Sequence, residues 1–249
     1  MARIWRLIDS GLVNPPESAA IDEAVLEAHS SGTAPNTLHF YVRSVPTVSL
    51  GYFQKVSESI DIEECRRRGV ALVRRRSGGS SIYTDSGQLI YGLVVGQEDL
   101  PRDLADSFRV VCGAIAKALR SFGVEAEYRP LNDVEVLGKK VSGNAQLRRG
   151  GSVLQHGTVL VQTDLEMMDA VLKVPRGSGL SRPSERVTTL ASLLGAAPEM
   201  HLVKDAIVFQ FGEAFSASFE RASLTREEAS SVERLVSERY GRDEWNLKF

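Results

Sequence analysis

Three groups of side chains in this 249-residue chain have the types and spacing to handle an anion. The first is the run Arg74-Arg75-Arg76-Ser77-Gly78-Gly79-Ser80-Ser81, followed by Ile82-Tyr83-Thr84-Asp85. Glycines reach backbone conformations closed to other residues, and consecutive amides in such a loop form a concavity for negative charge. Arg75 and Arg76 at its edge add planar, permanently charged donors suited to phosphate or carboxylate. Taken alone, the stretch is equally a polar Gly-Gly turn with solvated arginines.

The second group is Asn132-Asp133, then Lys140, then Ser142-Gly143. An Asn-Asp pair at the head of a strand suits Mg²⁺, which is commonly held by one or two carboxylates plus phosphate oxygens. Lys139 fits a solvated hairpin tip better than Lys140 does. The third group is His156-Gly157-Thr158, which interrupts an apolar strand. A strand histidine is commonly a satisfied core or edge residue, but a strand glycine marks close approach by a ligand or another backbone. Brought together, the three groups would hold a nucleotide's phosphates beside a carboxylate substrate.

The elements that must position them follow from periodicity and punctuation. Ile21, Val25 and Leu26 share a helical face over residues 18–30. Residues 38–53 read as two short strands broken at Val45-Pro46, and a short helix ends at Gly69. Strands over 70–75 and 87–95 flank the glycine loop, the second apolar throughout and so buried on both faces. Leu104, Phe108, Val111, Ile115 and Leu119 mark a helix over 102–121. A hairpin turns near Gly138-Lys139, and residues 152–161 form another strand. Helices are expected at 165–173, at 204–220 with Phe211, Phe215 and Phe219 on one core-facing side, and at 225–240. The fold class is α+β, with a mixed, largely antiparallel sheet flanked by helices. Residues 175–188, rich in Gly, Ser, Pro and Arg, form a candidate lid.

Composition narrows the function. Hydrophobic and charged shares of 43% and 25% are those of a soluble globular protein. A net charge of −2 argues against a general nucleic-acid surface. No stretch approaches ~18 consecutive apolar residues, so no membrane span is expected. The two cysteines, Cys65 and Cys112, have no metal-ligand spacing, and the expected location is cytoplasmic.

In their order and wording these motifs resemble the lipoate–protein ligase A family, within the lipoyl and biotinyl ligases and octanoyltransferases. The residues that carry the resemblance are "RRRSGGSSIYTDSG", "LNDVEV", "GKKVSGNAQ" and "LQHGTVLV". Supporting stretches are "SAAIDEAVLE", "PTVSLGYFQ", "DLEMMDAVLKVP" and "ERVTTL". The resemblance implies one biotinyl/lipoyl-ligase-like catalytic domain over 1–249. It implies ATP- and Mg-dependent activation of lipoate (or octanoate) to an acyl-adenylate. Transfer would follow, to a lysine of a 2-oxoacid dehydrogenase lipoyl domain or glycine-cleavage H protein.

By resemblance, Lys140 would be the catalytic cation at the carboxyl and phosphate oxygens. Arg75, Ser77, Gly78, Gly79, Ser80 and Thr84 would line the acyl-adenylate cleft. Asn132 and Asp133 would serve the ATP and Mg end, with Ser142, Gly143 and Ala145 beside Lys140. His156, Gly157 and Thr158 would lie at the acyl carbonyl. Ser80 and Thr84 depart from the family's third glycine and its histidine. Larger members carry an accessory domain after the segment resembling "RDEWNLKF", which implies a separate small accessory subunit here. An octanoyltransferase is the nearest alternative, but its cysteine nucleophile would fall in "PLNDVEV" or "RPSER", and neither holds one. A binding module without turnover is the other alternative.

Overall fold

The computed structural model describes residues 3–174 and 177–249. In chain order the first half comprises β1 (Arg3–Val13), α1 (Pro15–Ser30), β2 (Thr37–Arg43), β3 (Thr47–Leu50), α2 (Val56–Ser59), α3 (Ile62–Arg68), β4 (Ala71–Arg74), β5 (Ile82–Thr84) and β6 (Gln88–Gly96). There follow α4 (Leu104–Arg120), β7 (Ala126–Arg129), β8 (Asp133–Val136), β9 (Lys139–Arg149), β10 (Ser152–Leu160) and α5 (Leu165–Val171). The chain closes with α6 (Leu190–Leu194), α7 (Met200–Phe215), β11 (Ala217–Arg221), α8 (Arg226–Leu235) and α9 (Asp243–Asn246).

Eight strands form one sheet in the order β11-β1-β2-β6-β10-β9-β8-β7, and β4-β3-β5 form a second. The successive hairpins β7–β8, β8–β9 and β9–β10 make one half of the large sheet antiparallel. Parallel pairing occurs at β1–β11, β1–β2 and β3–β4. Strand β6 explains the layering. Leu89, Tyr91, Leu93 and Val95 face a core shared with α4 and α7, whereas Ile90 and Val94 face a core shared with α1 and α8. Alternation therefore buries both faces of the same strand.

Local signals set the element ends. Asn14 caps α1 by accepting from the Glu17 amide, and Pro15 occupies its first turn. Gly69 ends α3 in the left-handed conformation. The hairpin before Lys140 turns at Leu137-Gly138, one residue earlier than expected, with φ of 51° and 73°.

Phe219 corrects the expected helix over 204–220. Ser216 has φ 49° and ends α7, so Phe219 lies on β11 and packs edge-on against Trp5, while Phe211 and Phe215 are buried as expected. Strand β1 is not among the elements that the periodicity predicts. Among the described residues no helix is long and apolar enough to cross a membrane.

Candidate active site

The three polar groups meet. Arg75 and Lys140 line one cavity of about 70 Å³, between α1, the large sheet and the small sheet. Gly79, Ser80 and Thr84 line its glycine-loop side. Asn132, Gly143 and Ala145 line the side of β8 and β9, and His156, Gly157 and Thr158 supply the wall from β10. Apolar contacts come from Ala19, Ile82 and Ile90. An adjoining chamber of about 510 Å³ shares Ser80, Ile82, Lys140, Gly143 and Thr158 with it. Ser77, Asp133 and Ser142 are buried behind these walls.

The glycine loop is held from within. Arg75 donates from Nε to Ser77 Oγ (3.1 Å), from Nη1 to the Ser49 carbonyl (2.8 Å), and from Nη2 to the carbonyls of Gly78 (2.9 Å) and Ser80 (2.7 Å). Burial pushes this guanidinium down to about 10, so it stays cationic at neutral pH. Its donors mostly shape the loop, and the charge remains available to the cavity. Arg76 differs from expectation: it pairs with Glu23 of α1 at 2.9 Å and does not line the cavity.

Only Gly79 of the Gly-Gly pair has a positive φ (92°). Ser80 follows without a left-handed backbone, so its side chain adds no strain there. Thr84 is buried, accepting from Arg43 Nε and donating to the Thr47 carbonyl, both at 3.3 Å. It closes the wall between β2 and β3.

Lys140 places its ammonium 2.8 Å from Asp133 Oδ1. The other Asp133 oxygen accepts from Arg186 Nη2 at 3.1 Å, from the segment expected as a lid. That segment is also tied to the lysine's own strand, since the Thr188 amide donates to the Lys140 carbonyl at 2.9 Å. Residues 177–188 thus wall the larger chamber through Ser178, Leu180, Pro183, Arg186 and Val187. Residues 175 and 176 of the expected lid lie outside the described residues.

His156 is both satisfied and cavity-lining. Its Nδ1 lies 2.9 Å from Asp22 Oδ2 and its Nε2 lies 2.6 Å from Ser77 Oγ. Burial pushes the Asp22 carboxyl up, yet the hydrogen bonds and charges of His156 and His39 outweigh it and hold it at about 2. Gly157 is small for a different reason than expected: a Cβ there would collide with the Asn144 amide and lie 2.7 Å from the Tyr91 ring. Asn144 in turn fixes Asn132, donating from its amide and its Nδ2 to the Asn132 carbonyl (3.0 and 2.9 Å).

Sequence reasoning did not nominate Asp22, Arg43, Asn144 or Arg186. Asp22 and Arg186 stood inside "SAAIDEAVLE" and "ERVTTL", so the signal was present as motif and absent as chemistry. The two thiols are elsewhere. Cys65 is buried in the core of the small sheet and Cys112 on α4 beneath the large one. Burial pushes them up to about 11 and about 12, and neither is among the described residues that line the two chambers.

A large mixed sheet covered by helices, with a basic glycine loop facing a lysine across a cavity, defines an α+β domain of the lipoate and biotin ligase type. The chain belongs to the lipoyl protein ligase A/B catalytic domain family, whose model matches residues 14–212. It is 32% identical over 98% of both chains to "Octanoyltransferase LipM" of Anoxybacillus flavithermus. A bi-partite lipoate protein ligase from Thermoplasma acidophilum, solved as part of an archaeal lipoylation system, superposes with a TM-score of 0.88. The two are 30% identical, over 98% of this chain and 96% of that one. A lipoate-protein ligase A bound with ATP superposes at 0.86 with 30% identity, over 99% of each chain.

Proposed function

We propose that this chain is a lipoate–protein ligase: it activates lipoate or octanoate with ATP and passes the acyl group to a lysine of a lipoyl domain. The observation that carries the reading is the shared cavity of Arg75 and Lys140, with both thiols buried away from it. Joining a carboxylate to an α-phosphate brings two anions together. Fixed cations in a partly dry cleft stabilise the developing charge more than water does. Lys140 and Arg186 flank the junction of the two chambers, and the apolar wall at Ala19, Ile82 and Ile90 suits an acyl chain. The ATP-bound relative supports a nucleotide in this fold.

Mg²⁺ fits the donor set as a companion of the nucleotide. Asp133 offers one carboxylate, now shared by Lys140 and Arg186, and no cluster of three acidic, histidine or cysteine side chains stands among the described residues. Asp133, with Asn132 beside it, would hold a metal whose other ligands are phosphate oxygens and water. The metal would screen the phosphates during attack.

A second reading, acyl transfer between carrier proteins without ATP, is favoured by the name of the Anoxybacillus relative. Through a cysteine thioester it would need a thiolate, and burial keeps both thiols protonated. We also propose a single catalytic domain acting beside a separate small subunit, with lipoyl-domain proteins as acceptors. The bi-partite relative supports that arrangement. The test is intact-mass analysis of a lipoyl-domain acceptor offered lipoate plus ATP, preformed lipoyl-AMP, or an octanoylated carrier. Modification from lipoyl-AMP by the chain alone, and from lipoate plus ATP once the small subunit is added, is expected, both lost in Lys140→Ala. Modification from the carrier alone without nucleotide would replace the ligase by the transferase.

A further inference from the structure

A lysine amine that becomes an amide must shed a proton, and the cations of the cleft cannot take it. Among the described lining residues, the imidazole of His156 can. Its surroundings are built around one absent side chain. In the register of the large sheet, His39, Gly92 and His156 stand in a row on β2, β6 and β10. Asp22 of α1 sits over the gap at Gly92: a Cβ there would lie 2.8 Å from Asp22 Oδ1. The carboxylate lies between the two rings, 2.9 Å from His156 Nδ1 and 3.7 Å from His39 Nδ1. Tyr41 and Arg43 line the same cavity beside it.

Donor counting fixes the tautomer. The Asp22 carboxylate can only accept, so the hydrogen between it and His156 belongs to Nδ1. In the neutral ring Nε2 is then the acceptor and takes the proton of Ser77 Oγ, which itself accepts from Arg75 Nε. Nε2 is then unprotonated, and the ring proton is on Nδ1, toward Asp22. The order Ser77–His156–Asp22 is that of a nucleophilic triad. Ser77, however, is 1% exposed and is not among the described residues lining the cavity, so it orients the ring.

We propose that Asp22 is a positioning residue for His156, and that the His156–Asp22 pair accepts the amine proton when the acyl group reaches its lysine. This rests on the proposed acyl transfer to lysine. In that step the amine nitrogen bonds to the acyl carbon, and the carbon–oxygen bond to AMP breaks with its electron pair leaving on the phosphate. The Ser77 hydroxyl turns off Nε2, which takes the amine proton. The resulting imidazolium is held against the Asp22 carboxylate and returns its proton to solvent after release.

The experiment compares wild type, Asp22→Asn, Gly92→Ala and Ser77→Ala. It measures pyrophosphate release, single-turnover transfer from preformed lipoyl-AMP, and ring-nitrogen NMR of ¹⁵N-histidine protein, with His156→Gln to assign the signals. An asparagine amide donates to Nδ1 and moves the ring proton to Nε2. Asp22→Asn should therefore exchange the two His156 signals and slow transfer by about 100-fold or more, with adenylation within a few-fold. Gly92→Ala should slow transfer in the same direction without changing any titratable group, and Ser77→Ala should cost transfer only a few-fold.

Wild-type transfer rates in Asp22→Asn, or unchanged His156 signals, would overturn the proposal. Complete loss in Ser77→Ala with intact folding would replace it by an acyl-serine route. If wild type transferred from no donor, the proposed function would fail, and the spectra would still decide whether Asp22 sets the tautomer.

Discussion

Gly143 leaves open the space that the Lys140 ammonium occupies: a Cβ at residue 143 would lie 2.6 Å from Lys140 Nζ. The lysine leaves β9 at one register position and folds back along its own strand to reach Asp133. A register shift between Val134 and Glu135 accompanies that path. A small residue three positions on is thus part of how the cation is aimed. Gly143→Ala is expected to fold normally, because its φ lies outside the left-handed region. It should nevertheless push the ammonium off Asp133 and lower kcat/KM for acyl activation by about 10-fold or more. Steady-state kinetics beside a thermal melt checks this, and Lys140→Ala sets the lower limit.

Arg186 reaches Asp133 from the other side with a side chain that is 62% exposed. Its contribution to folding is correspondingly small, within about 0.5 kcal/mol. Under the proposed reading, its position at the wall of the larger chamber would set it against the nucleotide's phosphates. Arg186→Ala should raise KM for ATP several-fold and leave the melting temperature within about 2 °C. A matching loss of melting temperature and activity would assign Arg186 to the fold instead.

These two residues show what was legible in the sequence. Lys140 could be singled out because a lysine next to a small-residue run is chemically conspicuous, and the β8–β9 hairpin that carries it announces itself through Gly138. Arg186 could not, because its partner lies 53 residues away and the intervening register was not in the local pattern. The same holds for Asp22. Its helix was visible from Ile21, Val25 and Leu26, but its place depends on Gly92, a strand glycine with no turn signal. Arg75 and Arg76 were alike in sequence, and packing separated them, sending one into the loop and the other to Glu23. Phe219 fitted helical spacing and was placed instead by the left-handed break at Ser216.

The two thiols provide a test of mechanism. With burial holding them up to about 11 and about 12, only about 1 in 10,000 Cys65 side chains and fewer for Cys112 are thiolate at pH 7. Iodoacetamide at pH 7.5 should therefore neither label the native protein nor slow it. Cys65→Ala and Cys112→Ala should keep acyl transfer within a few-fold of wild type, allowing for about 1–2 kcal/mol of lost packing each. A variant that folds yet transfers nothing would restore the thioester route.

Glu23 gives the protein an acid-sensitive clasp. Its Oε1 accepts from Arg76 at 2.9 Å, and its Oε2 accepts from Arg239 at 2.5 Å and from the Tyr240 hydroxyl at 2.6 Å. One buried carboxylate thereby joins α1, the glycine loop and the turn after α8. Burial pushes this carboxyl up, but the arginines and the tyrosine outweigh it and hold it below its ordinary 4.5. A depressed value means that the clasp stabilises the fold fully above about pH 4.5 and is lost as pH falls through the lowered value. Glu23→Ala leaves two arginines without their carboxylate and is expected to cost about 3 kcal/mol or more, a fall of roughly 6–12 °C in melting temperature at pH 7. Glu23→Gln removes the charge but keeps the shape, so its deficit should shrink as the pH is lowered below 4.5, because wild type then loses the same charge. Melting curves between pH 3 and pH 7 decide the point: a pH-independent gap between wild type and Glu23→Gln would show that the carboxylate's charge is not what holds the three elements together.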